Sequence, residues 1–348
     1  MHGLFSYPLY GGVYMKSVII VSYSIIAALI GAGFASGQEI LCYFVRFNRF
    51  GFVAIVLSAL LFSVFVYIVL SYCIRHKIDS YDSFMSVFGN KYMRFAAKTV
   101  TLTFSLAVYG AMLSACGVLL FELFGIEKNI GSLAFAIICT IAFSLGTDKV
   151  FTFNAALGIT LVFLMTFSCL YILSYREFHV FAQQLTEATQ SGMIYSGYNL
   201  VSLSPVLVAL AKRLKTRNDA ISTSLSVGMA SYIVMLLIYI LLSIYYERIP
   251  LGELQMLTLA RRQNPAFAVF YSFILFSAII TTLLSSGGGL CDALNARKNP
   301  IFISIISATA YLISSVDFSK LINTAYRFSG ILGFFVCMVI AIQCVRKQ

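Results

Sequence analysis

Apolar residues run in long blocks along the chain, separated by short polar punctuation, and a crossing length of about 20 residues divides the blocks into ten segments. The first five are Ser17 to Val45, Gly51 to Ile74, Phe95 to Phe121, Ile130 to Leu145 and Val150 to Leu173. The second five are Gln190 to Leu210, Ala220 to Tyr245, Pro265 to Leu290, Ile301 to Val316 and Leu321 to Val345. Segments four and nine are short for a crossing, and Asp148 and Lys149 leave only a tight turn between four and five. The connections His76 to Arg94 and Glu247 to Asn264 are long enough for a short interfacial helix each. The pattern predicts an all-α polytopic membrane protein with about ten transmembrane helices, a single membrane domain over residues 17–348 preceded by a cytoplasmic segment, residues 1–16. Met1 to Met15 carries no Lys or Arg, and the first apolar run exceeds signal-peptide length, so this segment is expected to stay in the chain.

Two segments are poorly suited to plain anchoring. Ile30-Gly31-Ala32-Gly33-Phe34-Ala35-Ser36-Gly37-Gln38-Glu39 places three glycines within seven residues and an acid behind them. In lipid the backbone must satisfy its own hydrogen bonds, so such a stretch belongs where it is buried in protein or lines a cavity. The sixth segment carries Ser191-Gly192-Met193-Ile194-Tyr195-Ser196-Gly197-Tyr198-Asn199, with Pro205 beyond. Both read as interrupted helices. They open two sets of five segments of nearly equal length, residues 17–173 and 190–345. An odd number of spans per set inverts the second relative to the first, and paired interruptions in inverted repeats point to a solute site at the membrane midplane. Close helix packing is the other reading of the same glycines.

Composition agrees with the class, since 60% of residues are hydrophobic and 11% charged. The net charge of +11 would suit nucleic acid, but the basic residues cluster between apolar segments, as in Lys212-Arg213-Leu214-Lys215-Thr216-Arg217, and no nucleic-acid partner is expected. With the N-terminus inside, 15 basic residues fall on the inner side and 8 on the outer. That bias places both termini in the cytoplasm and the chain in the cell membrane. The eight cysteines form no Cys-x-x-Cys pair and are expected to be free thiols. His2, His76 and His179 stand apart, and no nucleophile or acid-base constellation appears, so neither an enzyme nor a bound cofactor is expected.

The Gly31 to Glu39 run, followed by Phe44 and Gly51, resembles the opening of the YkvI-like family of bacterial membrane proteins, and the Tyr198-Asn199 stretch is similar to the same family. The resemblance implies a branch of the amino acid, polyamine and organocation transporter superfamily, with the LeuT-like fold of five plus five inverted spans and broken helices one and six. It implies a secondary transporter of a small organic solute, an amino acid or related zwitterion, working by alternating access. A nutrient sensor on the same fold is the alternative. Membrane lipid and the solute are the expected partners; protein partners are left open.

Candidate solute contacts are Gly31, Ala32, Gly33, Phe34, Ala35 and Ser36 in segment one, Ser196, Gly197, Tyr198 and Asn199 in segment six, and the Tyr109 hydroxyl in segment three. In segment eight Ala278, Thr281 and Thr282 share a helix face at i, i+3, i+4. Their oxygens suit a small hard cation, although membrane threonines also bond their own preceding carbonyls. The spacing is similar to that of the sodium ligands of LeuT-like symporters, which implies carbonyl partners at Ala27 to Ile30. The absence of a lysine from segment five, where sodium-independent relatives often carry one, points the same way, and sodium is the expected coupling ion. Glu39 and Arg327 each lie six residues from the outer end of their segments, about 9 Å deep at the helical rise. Ionisable groups at that depth are costly, and the two read as a gate pair between segments one and ten.

Overall fold

The computed structural model describes residues 9–173, 185–245, 254–296, 299–316, 320–322 and 326–347; His2, Arg176, His179, Arg248, Arg297 and Lys298 lie outside them, as do the side chains of Ala32 and Lys149. Each apolar block folds as helix. Segment one is built from α1 (Leu9–Leu29), α2 (Ala32–Ser36) and α3 (Gln38–Tyr43), and a 3-10 turn at Val45–Phe50 leads into α4 (Gly51–Arg75). Then come α5 (Tyr81–Met85), α6 (Lys91–Phe124), α7 (Lys128–Ser144), α8 (Thr147–Leu173), α9 (Leu185–Ala211), α10 (Arg217–Tyr245), α11 (Gln255–Gln263), α12 (Pro265–Ala293), α13 (Pro300–Ser314) and α14 (Tyr326–Arg346). Among the described residues, seven helices are long and apolar enough to cross a membrane, while Ser17–Leu29 of α1, α7 and α13 are shorter apolar helices. The short helices α5 and α11 occupy the two long connections.

Local chemistry sets the ends. Asn90, Asn264 and Asn299 cap α6, α12 and α13 with side-chain oxygens on the first free N–H groups, and proline follows at the first helical position of the last two. Gly125 closes α6 in the left-handed conformation at φ 68°. Large apolar side chains such as Leu60, Phe163, Leu225 and Phe273 face outward, where acyl chains are as good a solvent as the core. Serines turn inward and tie helices together: Ser58 donates to the Gly192 carbonyl at 3.1 Å and Ser132 to that of Leu113 at 2.9 Å.

Packing follows a pairing. α1 lies on α8 as α9 lies on α14, and α1 meets α10 as α9 meets α4. α4 packs on α10 and α6 on α12. Exchanging each helix of the first set with its counterpart in the second carries these contacts into one another.

One expectation fails here. α9 is continuous from Leu185 to Ala211, with no break at Ser196 to Asn199. Its polar side chains bond back within the helix, Ser196 Oγ to the Gly192 carbonyl at 2.8 Å and Asn199 Nδ2 to that of Tyr195 at 3.0 Å. Pro205 cannot donate to the Val201 carbonyl, and Ser204 Oγ takes that place at 2.9 Å. Gly197 serves packing: a Cβ there would run into the backbone of Gly330 and Phe334 on α14. The residues that read as an unwound segment are the means by which an unbroken helix sits against its neighbour.

Candidate functional site

Segment one does break. α1 ends at Leu29, which leaves its last carbonyls without helical partners; Ile30 N still donates to Ile26 O at 2.7 Å, and Gly31 is extended at φ −94°, ψ −161°. After one turn of α2 the chain breaks again at Gly37, φ 82°, a conformation that glycine adopts without strain. Ser36 Oγ accepts from Gln38 N at 3.2 Å and fixes this second corner.

A cavity of about 30 Å³ lies at the first break, between α1, α2, α6, α9 and α12. Its wall includes Gly31, Gly33, Glu39, Tyr198, Asn199, Ser202, Thr282, Ser286 and Tyr326. Among the described residues, no lysine, arginine or histidine lines it. That volume holds roughly one or two waters, so a solute would have to part the walls. Gly31 brings its backbone against Thr282, since a Cβ would fall on the Thr282 side chain.

Of the expected solute contacts, Gly31, Gly33, Tyr198 and Asn199 line this cavity, and Ala32 contributes backbone only within the described structure. The others do not reach it. Phe34 packs on Tyr195 with ring centroids 6.0 Å apart, the Ala35 carbonyl accepts from Tyr271 Oη at 2.7 Å, and Ser36 serves the corner. Ser196 and Gly197 are used inside α9 and against α14. Tyr109 is turned away, bonded to Ser307 Oγ at 3.0 Å, while its neighbours Val108 and Met112 line the cavity.

Ala27, Ile30, Ala278 and Thr281 are fully buried in the seam between α1 and α12. Thr282 Oγ1 approaches the Ala27 carbonyl at 3.5 Å, and Thr281 Oγ1 bonds the Ala278 carbonyl at 2.9 Å. The seam thus gathers hydroxyls and carbonyls from both helices. The spacing missed a neighbouring link: Asn154 of α8 donates to Ser285 Oγ at 2.6 Å, and Ser285 donates to the Thr281 carbonyl at 2.8 Å.

Glu39 and Arg327 are not brought together. Glu39 is buried, Arg327 is exposed on α14, and the two make no ion pair. The corner at Gly37 turns α3 so that Glu39 faces inward onto phenols. Tyr195 and Tyr198 approach its carboxyl without closing a well-formed hydrogen bond. Tyr43 and Tyr326 complete the group, with ring centroids 5.5 Å between Tyr43 and Tyr195 and 4.7 Å between Tyr198 and Tyr326. The hydroxyls of Tyr43 and Tyr326 have no hydrogen-bond partner among the described residues. Sequence reading named only Tyr198 of these four. Tyr43 stands at i+4 from Glu39 and Tyr195 at i−3 from Tyr198, a shared-face spacing that was available.

The two sides of the cavity differ. On one side α11 lies over α2 and α3: Gln255 Nε2 donates to Gln38 Oε1, and a Cβ on Gly37 would meet Met256. On the other side a cavity of about 380 Å³ opens between α5, α9 and α12, lined by Asp79, Tyr81, Pro205, Lys212, Asp292 and Asn295 among others. One turn of α9 separates the two cavities, and Tyr81 Oη meets Ser204 Oγ there at 3.1 Å.

No family model matches the chain. The membrane protein YkvI of Bacillus subtilis is 25% identical over 342 residues, covering 93% of this chain and 95% of that protein. Among solved structures, MhsT in complex with L-phenylalanine superposes with a TM-score of 0.73 at 13% identity, over 92% of this chain and 87% of that one. A substrate-bound, outward-open Na⁺-coupled sialic acid symporter gives 0.64 at 12%, over 93% and 77%. The manganese transporter of Eremococcus coleocola gives 0.62 at 14%, over 94% and 78%. The fold is therefore LeuT-like, reached with little sequence in common.

Proposed function

We propose that this chain is a secondary active transporter of a small organic solute, an amino acid or related zwitterion, in the amino acid, polyamine and organocation superfamily. It works by alternating access with sodium as coupling ion, through ten spans in a five plus five inverted repeat. The observation that carries the reading is the position of the cavity. It sits at the break of segment one, against α9, α6 and α12, sealed on one side by α11 and separated from a wide vestibule on the other by one turn of α9. A solute site between one closed and one nearly open face is what alternating access requires. The basic-residue bias assigns the vestibule to the cytoplasm and the α11 side to the exterior. The exchange of packing partners between the two helix sets supports the repeat, and the relatives named by structure include transporters and a Na⁺-coupled symporter.

Sodium would sit in the α1–α12 seam, held by the Ala27 and Ile30 carbonyls, the Ala278 carbonyl and the Thr281 and Thr282 hydroxyls. The ion would draw broken segment one against α12, so that solute and sodium together favour one set of helix contacts over the other.

The test is thermal stability of the purified protein against a panel of amino acids and amines, in sodium and then in potassium. Ligand at about 100 times its Kd adds about 2.7 kcal/mol. The expected result is a shift from one solute class in sodium, absent in potassium and absent for Thr282→Val in either salt. A solute shift of equal size in both salts would remove sodium from the reading.

A further inference from the structure

Among the described residues, acidic side chains outnumber basic ones in the lining of the central cavity and the vestibule below it, on a chain whose net charge is +11. Among the described residues, Glu39 is the only formally charged side chain on the cavity wall, and the vestibule adds Asp79 and Asp292 against Lys212. Glu39 is 5% exposed and forms no ion pair. The ionisable groups that face it are Cys42 and Tyr43 from its own helix, Tyr195 and Tyr198 from α9, and Tyr326 from α14. The nearby cations Arg46 and Arg327 are exposed and form no ion pair with Glu39. A carboxylate held in the membrane interior without a cation calls for one.

The surroundings say which kind. Tyr198 and Tyr326 line the cavity beside the carboxyl, at 3% and 2% exposure, and the Tyr326 hydroxyl is without a partner among the described residues. Aromatic faces attract an ammonium through the ring quadrupole, and a phenol oxygen can accept one of its N–H bonds. An ammonium group is about the size of a water, and the cavity of about 30 Å³ fits that head group. The remaining polar side chains of the wall, Asn199, Ser202, Thr282, Ser285 and Ser286, are neutral, so among the described residues no cationic side chain there would pair with an anion.

We propose that the solute is recognised as a protonated amine, its nitrogen held by the Glu39 carboxylate inside the phenol group of Tyr198 and Tyr326, and that a carboxylate on the solute is not required. This rests on the transporter reading of the same cavity and narrows it. Solutes that carry only a carboxylate are excluded by Glu39 itself.

The experiment uses the full chain in detergent and two matched sets of solutes that differ only in charged groups: phenethylamine, phenylalanine and 3-phenylpropanoate, and butylamine, norvaline and pentanoate. Thermal stability is titrated for the wild type and Glu39→Gln, with proteoliposome counterflow on the same solutes. The expected result is stabilisation of the wild type by the amine in at least one set, no effect of the carboxylates, and at least tenfold weaker amine binding in Glu39→Gln. Stabilisation by 3-phenylpropanoate or pentanoate at least as strong as by the amines would overturn the amine assignment and leave a transporter of another solute standing. Undiminished amine binding in Glu39→Gln would also overturn it. If Glu39→Gln does not fold, the wild-type ranking of amine over carboxylate decides the question. Absence of both stabilisation and counterflow for every amine and amino acid tested would overturn this proposal and the transporter reading together.

Discussion

Alanine at Gly197 is expected to cost the protein about 3 kcal/mol of stability, seen as early melting in detergent and a poor yield of monodisperse protein. The reason is backbone meeting backbone. A Cβ on Gly197 would lie 2.6 Å from Phe334 N and closer still to the Gly330 carbonyl, and neither atom can swing aside as a side-chain end can. Gly333 on α14 faces the Gly197 carbonyl in return, so the two helices are in mutual contact over a full turn. Separating them loses the dispersion contacts along the seam. Alanine at Gly89 is the control: nothing lies within 4 Å of a Cβ there, and the change should stay within about 0.5 kcal/mol. Equal effects at the two sites would refute the packing role given to the sixth segment.

Alanine at Gly33 should do the opposite. Here the added methyl would fall on the carboxyl end of the Glu39 side chain, a flexible group, and alanine is a better helix former than glycine by about 1 kcal/mol. Stability should be unchanged or slightly raised. Solute binding should fall about a hundredfold, equivalent to about 2.8 kcal/mol, because the carboxyl is displaced from the cavity wall and the wall itself is filled. Titration of ligand-induced stabilisation beside the unliganded melting temperature reads both quantities from one preparation. A Gly33→Ala protein that binds normally would detach Glu39 from recognition.

The contrast between these glycines explains what sequence could and could not deliver. Apolar blocks predicted every long helix, because lipid demands long runs of apolar residues and internally satisfied backbone. Asparagine followed by proline marks the starts of α12 and α13 in plain sight at Asn264-Pro265 and Asn299-Pro300. The first break was legible because Gly31, Gly33 and Gly37 crowd into two turns. The sixth segment has the same small and polar character, yet Ser196, Asn199 and Ser204 spend their hydrogen bonds within the helix. One-dimensional pattern does not tell a side chain that replaces a backbone bond from one that supplements it. Glu39 and Arg327 failed as a pair for a related reason: depth along a span was readable, but the direction of Glu39 depends on the rotation at Gly37, which only the folded backbone fixes. Gln38 with Gln255 and Asn154 with Ser285 are 217 and 131 residues apart, and no spacing rule joins them.

The central claim is that the cavity at the break of segment one is reached from both faces in turn, so that a bound solute crosses. Counterflow measures this without a driving ion gradient: proteoliposomes loaded with an unlabelled amine or amino acid that stabilises the protein are diluted into a trace of the same solute in labelled form. Alternating access predicts a transient accumulation of label above equilibrium for the wild type, and none for Gly33→Ala. Tight, saturable binding with no accumulation would contradict the account, and would make this LeuT-like fold a receptor for its solute.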